Sequence, residues 1–209
     1  VIADPYHGKN PLGTTAATSD AHGRIYFTDA RYGPGETMEL PNAVYRIDPD
    51  GRITQLPLDI FRPNGIEVSA DGKRLYVAAN NSTGRLPINP NGPTQDRFGI
   101  KYGGVAVYDL DGGGNISNGR LFFRNDDLGV DGMAVDTDGN LYLAMHNGNG
   151  GEPKGDVVVL SPDGNVLQRI PLPKPVLSTN LGFGRGPDAN SLYMTTARPW
   201  GLYRIKTLR

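Results

Sequence analysis

Asn64 and Asp131 are the two residues whose types and positions could build a cation site. Each stands eight residues before the glycine of a tight turn, Gly72 or Gly139, and each is followed directly by a second glycine. Amide and carboxylate oxygens are the ligands that hard divalent cations such as Ca²⁺ prefer. Asn-Gly and Asp-Gly are also common turn dipeptides, so this spacing alone leaves a purely structural role open.

The elements that must position these residues belong to a sequence repeat that occurs four times. Each copy contains a short apolar strand, a glycine turn with Asp or Asn, and a strand centred on Leu-Tyr or Ile-Tyr. The copies are Ala16–Asp29, Asn64–Asn80, Asp131–Met145 and Asn180–Thr196, and their strand tyrosines lie 50, 66 and 51 residues apart. Such periods, with about four short strands each, are typical of β-propeller blades. The sequence therefore predicts an all-β propeller.

Two further strands complete each repeat, because stretches such as VAVYDL alternate apolar and polar residues with a period of two. Third strands are predicted at Ala43–Asp48, Val105–Leu110 and Val157–Leu160, and outer strands at Ile53–Leu58, Arg120–Arg124 and Val166–Leu172. The last repeat stops after its third strand, GLYRIKT. Val1–Asp4 could supply its outer strand, or could be the outer strand of a blade whose start is absent. The segment Asn80–Gly104, rich in Asn, Pro and Gly, predicts a loop at one rim.

This arrangement gives the two candidate ligands a common location. Inner strands are predicted to start near Thr15, Asn64, Asp131 and Asn180. Their first positions ring the mouth of the central channel in a propeller. Asn64 and Asp131 can therefore face each other although they are 67 residues apart.

Composition excludes several function classes. The chain has 21 basic and 22 acidic residues and a net charge of −1, which argues against a nucleic-acid or membrane partner. The longest aliphatic run, around Val157–Leu160, is too short to span a bilayer. The absence of cysteine excludes disulfides, thiolate catalysis and Cys-ligated metals. It is compatible with the cytoplasm and with an oxidising compartment.

The sequence around the two candidate ligands resembles that of one known family. The stretches RPNGIEVSADGKRLYVA, DGMAVDTDGNLYLA and SLYMTTARPWGLYRI are similar to the gluconolactonase, senescence marker protein and luciferin-regenerating enzyme family. RIYFTDARYG and AVYRIDPDG fit its bacterial sugar-lactonase branch. The resemblance covers nearly the whole chain. It implies a six-bladed propeller and a metal-dependent hydrolase that opens sugar lactones.

The resemblance also implies roles for individual residues. One divalent cation, most often Ca²⁺ but with Zn²⁺ or Mg²⁺ as alternatives, is held by a first-blade Glu, the Asn of RPNG and the Asp of DGMAVD. Asn64 and Asp131 match the second and third of these ligands, whereas the Glu has no counterpart. Asp131 would also be the catalytic base. Its hydrolytic substrate would be a small-molecule lactone.

One motif departs from the family pattern. The family has a motif like RFNSPND before the strand that corresponds to GRIYFTD, and its second Asn contributes to the substrate pocket. An ungapped count places Thr15 at that Asn and Ala16 at the following Asp. A hydroxyl can still bind a sugar, but its reach and donor count differ from those of an amide.

Other polar residues are weaker candidates for substrate binding. His146 follows the third tyrosine strand, and a solvated loop histidine is the alternative role. Arg31, Tyr32 and Glu39 lie in the loop after GRIYFTD, where ordinary loop polarity is the alternative role, and Asn180 begins the last repeat. Trp200 is expected to pack against the fold.

Two further expectations concern the whole chain. Six blades require about 270–300 residues. Residues 1–209 are therefore predicted to form a single propeller domain that lacks its N-terminal part, with another chain or segment supplying the missing blades. A non-catalytic propeller that binds a small ligand or a protein partner is the alternative to a lactonase. The RPNG and DGMAVD motifs match hydrolases like strictosidine synthase or paraoxonase less well than they match the gluconolactonase family.

Overall fold

The protein is built from four antiparallel β-sheets in a propeller arrangement. The computed structural model describes residues 6–11, 13–32, 39–81, 97–148, 152–172 and 176–206. Within these ranges the helical content is one 3₁₀ turn, Gly186–Asp188. The all-β propeller prediction is therefore confirmed. The strand proposed for Val1–Asp4 lies outside the described residues.

Each sheet takes its strands in chain order. The first sheet contains β1 (Thr14–Ser19), β2 (Ile25–Asp29), β3 (Ala43–Ile47) and β4 (Ile53–Leu56). The second contains β5 (Pro63–Val68), β6 (Arg74–Asn80), β7 (Gly103–Leu110) and β8 (Ile116–Asn125). The third contains β9 (Gly129–Val135), β10 (Leu141–His146), β11 (Gly155–Leu160) and β12 (Val166–Pro171). The fourth has three strands, β13 (Leu177–Phe183), β14 (Ser191–Ala197) and β15 (Gly201–Lys206).

Most strand predictions agree with these bounds to within a few residues. The segment between Asn80 and Gly103 connects β6 to β7, as predicted for the long loop, although residues 82–96 lie outside the described ranges. The expected packing of Trp200 is wrong, because 87% of its surface is exposed. No helix in the described part of the chain is long and apolar enough to cross a membrane.

The repeated turn explains why these sequences form hairpins. In the first copy the main-chain N–H of Asp20 donates to Arg24 O, and Gly23 N–H donates to Asp20 O, both at 3.1 Å. Gly23 has a φ of 77°, a conformation that favours glycine. The tyrosine of the following strand then reaches back, since Tyr26 Oη donates to Asp20 Oδ2 at 2.9 Å. The turn and the tyrosine thus form one hydrogen-bonded unit.

Neighbouring sheets contact each other through their inner strands, β1 against β5, β5 against β9, and β9 against β13. Apolar residues fill the spaces between the sheets. Leu75, Leu141, Leu143 and Leu192 are fully buried there. Burial of each such side chain stabilises the fold by roughly 1.5–3 kcal/mol.

Two ends of the sheets can now be distinguished. We call the end at which the inner strands begin, near Asn64 and Asp131, the mouth. The glycine turns after the inner strands, at residues 20–24, 69–74 and 136–140, lie at the opposite end. We call it the turn end. The count of six blades stays a prediction.

Candidate functional site

A β-bulge at the start of each inner strand positions the candidate residues. In β5, Pro63 pairs with Ala79 and Ile66 with Val77, so Asn64 and Gly65 together oppose one residue of β6. The same irregularity places Asp131 and Gly132 opposite one residue of β10. Bulges commonly redirect side chains next to functional sites.

The register also tests the other two predicted inner-strand starts. Thr15 is the extra residue in β1, between Thr14 paired with Asp29 and Ala16 paired with Thr28. Thr15 is therefore the structural equivalent of Asn64, in agreement with its predicted position at the start of an inner strand.

The prediction for Asn180 is wrong by one position. Strand β13 begins at Leu177, and its bulge lies between Ser178 and Asn180. Thr179 is thus the equivalent of Asn64 and Asp131. The longer turn that contains Gly186–Asp188 shifts the spacing in this repeat. Thr179 Oγ1 lies 2.9 Å from Thr195 Oγ1 on the neighbouring strand β14.

Asn64 is fixed by its main chain but has a side-chain oxygen to spare. Only 4% of the residue is exposed. The buried Thr28 hydroxyl donates to Asn64 O at 2.7 Å, which ties β5 to the first sheet. Asn64 Oδ1 is buried and accepts no hydrogen bond from any described residue. Leaving a buried amide oxygen unsatisfied costs about 1–3 kcal/mol, so the position calls for a ligand.

Tyr32 and Arg62 surround the Asn64 amide. The Tyr32 hydroxyl lies 3.2 Å from Arg62 O and 3.1 Å from Pro63 O, and it donates to this pair of carbonyls. The Arg62 guanidinium stacks 4.3 Å above the Tyr32 ring.

The Tyr32 phenol interacts with both Asn64 and Asp131. Burial raises the pKa of the Tyr32 phenol well above its ordinary value of 10. The charge of Arg62 and a hydrogen bond with the Asn64 side chain oppose this rise, and the charge of Asp131 adds to it. A hydrogen bond that lowers the pKa of a phenol is one that its oxygen accepts, so the donor is the Asn64 NH₂ group.

Asp131 lies directly against the Asn64 segment. A Cβ atom on Gly65 would fall 2.2 Å from Asp131 O, so only glycine permits this approach of β5 to β9. The Asp131 side chain is 19% exposed. Asn64 and Asp131 thus lie on adjacent strands at the mouth, and their joint binding of a cation stays a prediction.

His146 contacts Asp131 and not solvent. It ends strand β10, is 8% exposed, and its Nε2 lies 3.0 Å from Asp131 Oδ2. The alternative of a solvated loop histidine is therefore wrong. Its other ring nitrogen, Nδ1, accepts from Gly148 N–H at 2.8 Å. Both ring nitrogens are engaged, and a direct contact of His146 with substrate stays a prediction.

Asn180 borders the same site from β13. A Cβ atom on Gly132 would lie 2.1 Å from Asn180 Oδ1 and 2.6 Å from Asn180 Cα. The Asn180 amide oxygen also accepts from Leu181 N–H at 2.8 Å. Asn180 thus lies beside Asp131, exposed enough for a ligand to reach its NH₂ group.

The remaining candidates lie around the mouth with other partners. Thr15 is exposed, and its hydroxyl donates to Gly13 O at 2.9 Å. Glu39 Oε2 accepts from Asn10 N–H at 2.7 Å, on the exposed surface. The main chain of Arg31 donates to Asn42 Oδ1 at 3.0 Å. Their roles toward a substrate stay predictions.

Sequence reasoning missed one contributor to this site and gave another a different role. Tyr32 is a weak candidate for contact with substrate hydroxyls in the sequence, and its contact with Asn64 joins segments that are distant in the chain. Thr179 carries no glycine after it, which was the signal that identified Asn64 and Asp131.

The donor set fits a hard cation in part. Asn64 Oδ1 offers a neutral oxygen without a partner, and Asp131 offers a carboxylate with free lone pairs. Among the described residues no group of three or more His, Cys, Asp or Glu could hold a metal ion. Water, substrate or residues beyond those described would have to complete the coordination.

Comparisons with known proteins show which sequences and folds this chain resembles. The chain is 29% identical over 185 residues to a gluconolactonase of Zymomonas mobilis, covering 81% of this chain and 44% of that protein. In fold it is similar to a gluconolactonase of Xanthomonas campestris, with a TM-score of 0.71 and 24% identity over 96% of this chain and 59% of the other. It is also similar in fold to a calcium-binding regucalcin of Agrobacterium tumefaciens, with a TM-score of 0.63 and 24% identity over 88% and 53%.

The extent of these matches is uneven. The chain spans less than half the length of the gluconolactonase it matches in sequence, 44%. The family description does cover most of the chain, since the SMP-30/gluconolactonase/LRE-like region matches residues 2–89 and 100–198. The chain belongs to the SMP-30/gluconolactonase/LRE-like family.

Proposed function

We propose that this chain carries part of the active site of a metal-dependent hydrolase that opens sugar lactones. The observation that carries the proposal is that Asn64, whose buried Oδ1 has no hydrogen-bond partner among the described residues, and Asp131 lie on closely packed adjacent strands at the mouth. The gluconolactonase name of its sequence relative supports lactones as the substrate class. The calcium-binding name of a fold relative supports Ca²⁺ as the ion.

Asn64 and Asp131 are the residues that would hold the cation. When bound, a divalent cation supplies Lewis-acid polarisation of the lactone carbonyl. Asn64 contributes no charge, so the positive charge at the site is compensated by Asp131 alone among these two ligands. The Tyr32 hydroxyl and the buried main chain hold the Asn64 amide, so the oxygen is oriented before any ligand arrives.

Asp131 acts as the base in the proposed reaction. Its carboxylate takes a proton from the attacking water while the water oxygen bonds to the lactone carbonyl carbon. The ring C–O bond then breaks, and Asp131 returns the proton to the departing alkoxide. The product is the open-chain hydroxy acid. Asp131 retains free lone pairs for this role, because His146 occupies one side of one oxygen.

Lactone turnover by the purified chain tests the proposal. Aldonolactones with five- and six-membered rings are supplied, and acid release is followed before chelation, after chelation and after Ca²⁺ is restored. We expect turnover that chelation abolishes and Ca²⁺ restores. The assay includes the further chain or segment that this proposal requires for the remaining oxygen ligands. Absence of turnover by that completed, Ca²⁺-loaded protein across the panel would contradict the proposal.

A binding protein without catalysis is the second candidate, because Thr15 and Ala16 depart from the family pattern. Thr15 is exposed and its hydroxyl already donates to Gly13 O. Restoring the motif with Thr15→Asn and Ala16→Asp would add one sugar hydrogen bond, worth roughly 0.5–1.5 kcal/mol or up to about tenfold in kcat/KM. An unchanged or lower kcat/KM in the folded double variant, with sugar binding measurable by calorimetry, would favour the binding protein.

A further inference from the structure

We infer that His146 is a positioning residue that holds the Asp131 carboxylate through a neutral imidazole fixed in one tautomer. The inference rests on the proposed function for the importance of Asp131, but its geometry stands by itself. His146 ends β10 opposite Gly129 in the register, directly beside the bulge that carries Asp131. It is almost completely buried. Water therefore competes little for its hydrogen bonds.

The main chain determines which ring nitrogen carries the proton. Gly148 N–H donates to His146 Nδ1 at 2.8 Å in buried surroundings. A ring nitrogen that accepts a hydrogen bond bears no proton, so the single proton of the neutral ring lies on Nε2. Nε2 lies 3.0 Å from Asp131 Oδ2 and donates to it. The main chain thus fixes the orientation of the ring, and the ring fixes the orientation of the carboxylate.

The connection after β10 is braced to present this N–H group. Gly148 has a φ of 69°, a conformation that favours glycine. Asn147 anchors the same turn from both sides. Its main-chain N–H donates to Lys154 O at 3.0 Å, its Oδ1 accepts from Lys154 N–H at 3.1 Å, and its Nδ2 donates to Glu152 O at 2.9 Å.

A neutral donor suits a carboxylate that must keep its charge. An Arg or Lys in the place of His146 would form an ion pair with Asp131 and compete with a cation for it. The neutral Nε2–H group fixes one oxygen and leaves the full negative charge on the group. Residues that hydrogen-bond to metal-binding side chains in this way typically contribute about 10–100-fold to metal affinity or activity.

Nuclear magnetic resonance of the ring nitrogens tests the tautomer without any need for turnover. The chain has three histidines, so His146→Gln identifies the signals of His146 by their loss. We expect a protonated Nε2 and an unprotonated Nδ1 from the hydrogen bonds of the ring. In Asp131→Ala the Nε2 signal should move while the Nδ1 signal stays, because Gly148 still donates to it. A protonated Nδ1, or an Nε2 signal indifferent to Asp131→Ala, would overturn the inference.

A matched pair of variants tests the consequence for Asp131. The Gln amide nitrogen in His146→Gln can reach the place of Nε2, whereas the shorter Asn in His146→Asn can satisfy Gly148 N–H but not Asp131. Calorimetric titration with CaCl₂ should give a Kd about 10–100-fold weaker for His146→Asn than for the wild type, with His146→Gln recovering most of the loss. Equal Ca²⁺ affinity in all three proteins would contradict the positioning role.

These measurements separate the inference from the proposed function. Absence of lactone turnover together with the expected ring signals would remove the lactonase and leave the positioning of Asp131 supported. Normal turnover that is indifferent to His146→Asn would retain the lactonase and overturn the positioning role. Circular dichroism of each variant verifies folding before either comparison.

Discussion

The two ends of the sheets treat the same kind of side chain in opposite ways. At the turn end, Asp20 Oδ1 accepts from the main-chain N–H groups of His22 and Arg24 at 2.9 and 3.1 Å. Its Oδ2 accepts from Arg24 Nε at 2.6 Å and from Tyr26 Oη at 2.9 Å. At the mouth, by contrast, the Asp131 carboxylate forms one side-chain hydrogen bond with the described residues, the bond with His146.

Asp136 shows that the turn-end pattern is repeated. Its Oδ1 accepts from the N–H groups of Asp138 and Asn140, each at 2.9 Å. Its Oδ2 accepts from Asn140 Nδ2 at 3.0 Å and from Tyr142 Oη at 3.4 Å. Carboxylates that the protein satisfies itself stabilise the fold, whereas those with lone pairs to spare are available to ligands. Asp131 and Asn64 belong to the second group.

The largest expected effect is on catalysis at the mouth. Asp131→Asn removes the proton acceptor but keeps the size of the side chain and should lower kcat for lactone hydrolysis by about 10²–10⁴-fold. The free energy of unfolding should change little, because Asp131 contributes few hydrogen bonds to the fold. Asp126→Asn is the charge-matched control, since the Asp126 side chain is 71% exposed. Retained turnover in folded Asp131→Asn would mean that another group is the base.

At the turn end the same residue type should affect stability instead. Asp20→Ala leaves the Arg24 guanidinium, whose side chain is 9% exposed, without its carboxylate. Loss of one partner of such a buried pair costs about 3–5 kcal/mol of unfolding free energy in urea titrations. Asp20→Asn keeps an acceptor for the main-chain N–H groups and should cost less. Lactone kinetics of the folded fraction should be unchanged, and a drop in kcat equal to that of Asp131→Asn would erase the contrast between the two ends.

The turn end could be predicted from sequence because its interactions are local. Asp20, Gly23 and Tyr26 lie within seven residues, and the repeat of this unit along the chain gave the propeller and most strand bounds. The glycine that follows Asn64 and Asp131 also gave a correct location for both. These signals depend on neighbours in the chain, which sequence reasoning can see.

The mouth was predicted less completely because its contacts join distant segments. Tyr32 meets Asn64 through the fold, and the role of His146 depends on the turn that brings Gly148 N–H to its ring. Asn180 was placed one position off, because the turn with Gly186–Asp188 changes the spacing on which the count relied. Bulge positions follow from strand pairing and carry no fixed sequence signature.

A smaller loss of stability is expected from adding a methyl group between β9 and β13. In Gly132→Ala the new methyl group would lie 2.6 Å from Asn180 Cα, so the strands must separate. Such overpacking costs about 1–3 kcal/mol of unfolding free energy.

The matched control is Gly182→Ala in β13, where a Cβ would meet no atom within 4 Å. Its unfolding free energy should stay within about 0.5 kcal/mol of the wild type. Equal stability of the two variants would show that the mouth tolerates a wider spacing of its strands.

The smallest expected effect is a pH dependence of stability at the turn end. Burial disfavours the charged Asp20 carboxylate, but hydrogen bonds from Arg24, Tyr26 and His22 outweigh it, so the pKa of Asp20 lies below its ordinary value of 3.8. Between the folded and unfolded pKa values the unfolded chain binds more protons, so stability rises with pH there. The contribution of Asp20 is complete above pH 3.8 and is lost as pH falls through the folded pKa.

Urea titrations of the wild type and Asp20→Asn at several pH values isolate this contribution from those of other carboxylates. The difference in unfolding free energy between the two proteins should be largest near neutral pH and should shrink as the pH falls below 3.8, because protonated Asp20 resembles the amide. A difference that stays constant down to the acid transition would mean that the Asp20 charge contributes nothing. The stability of the turn end would then depend on packing and on hydrogen bonds between neutral groups. The turn end and the mouth would then differ in packing and not in the use of carboxylate charge.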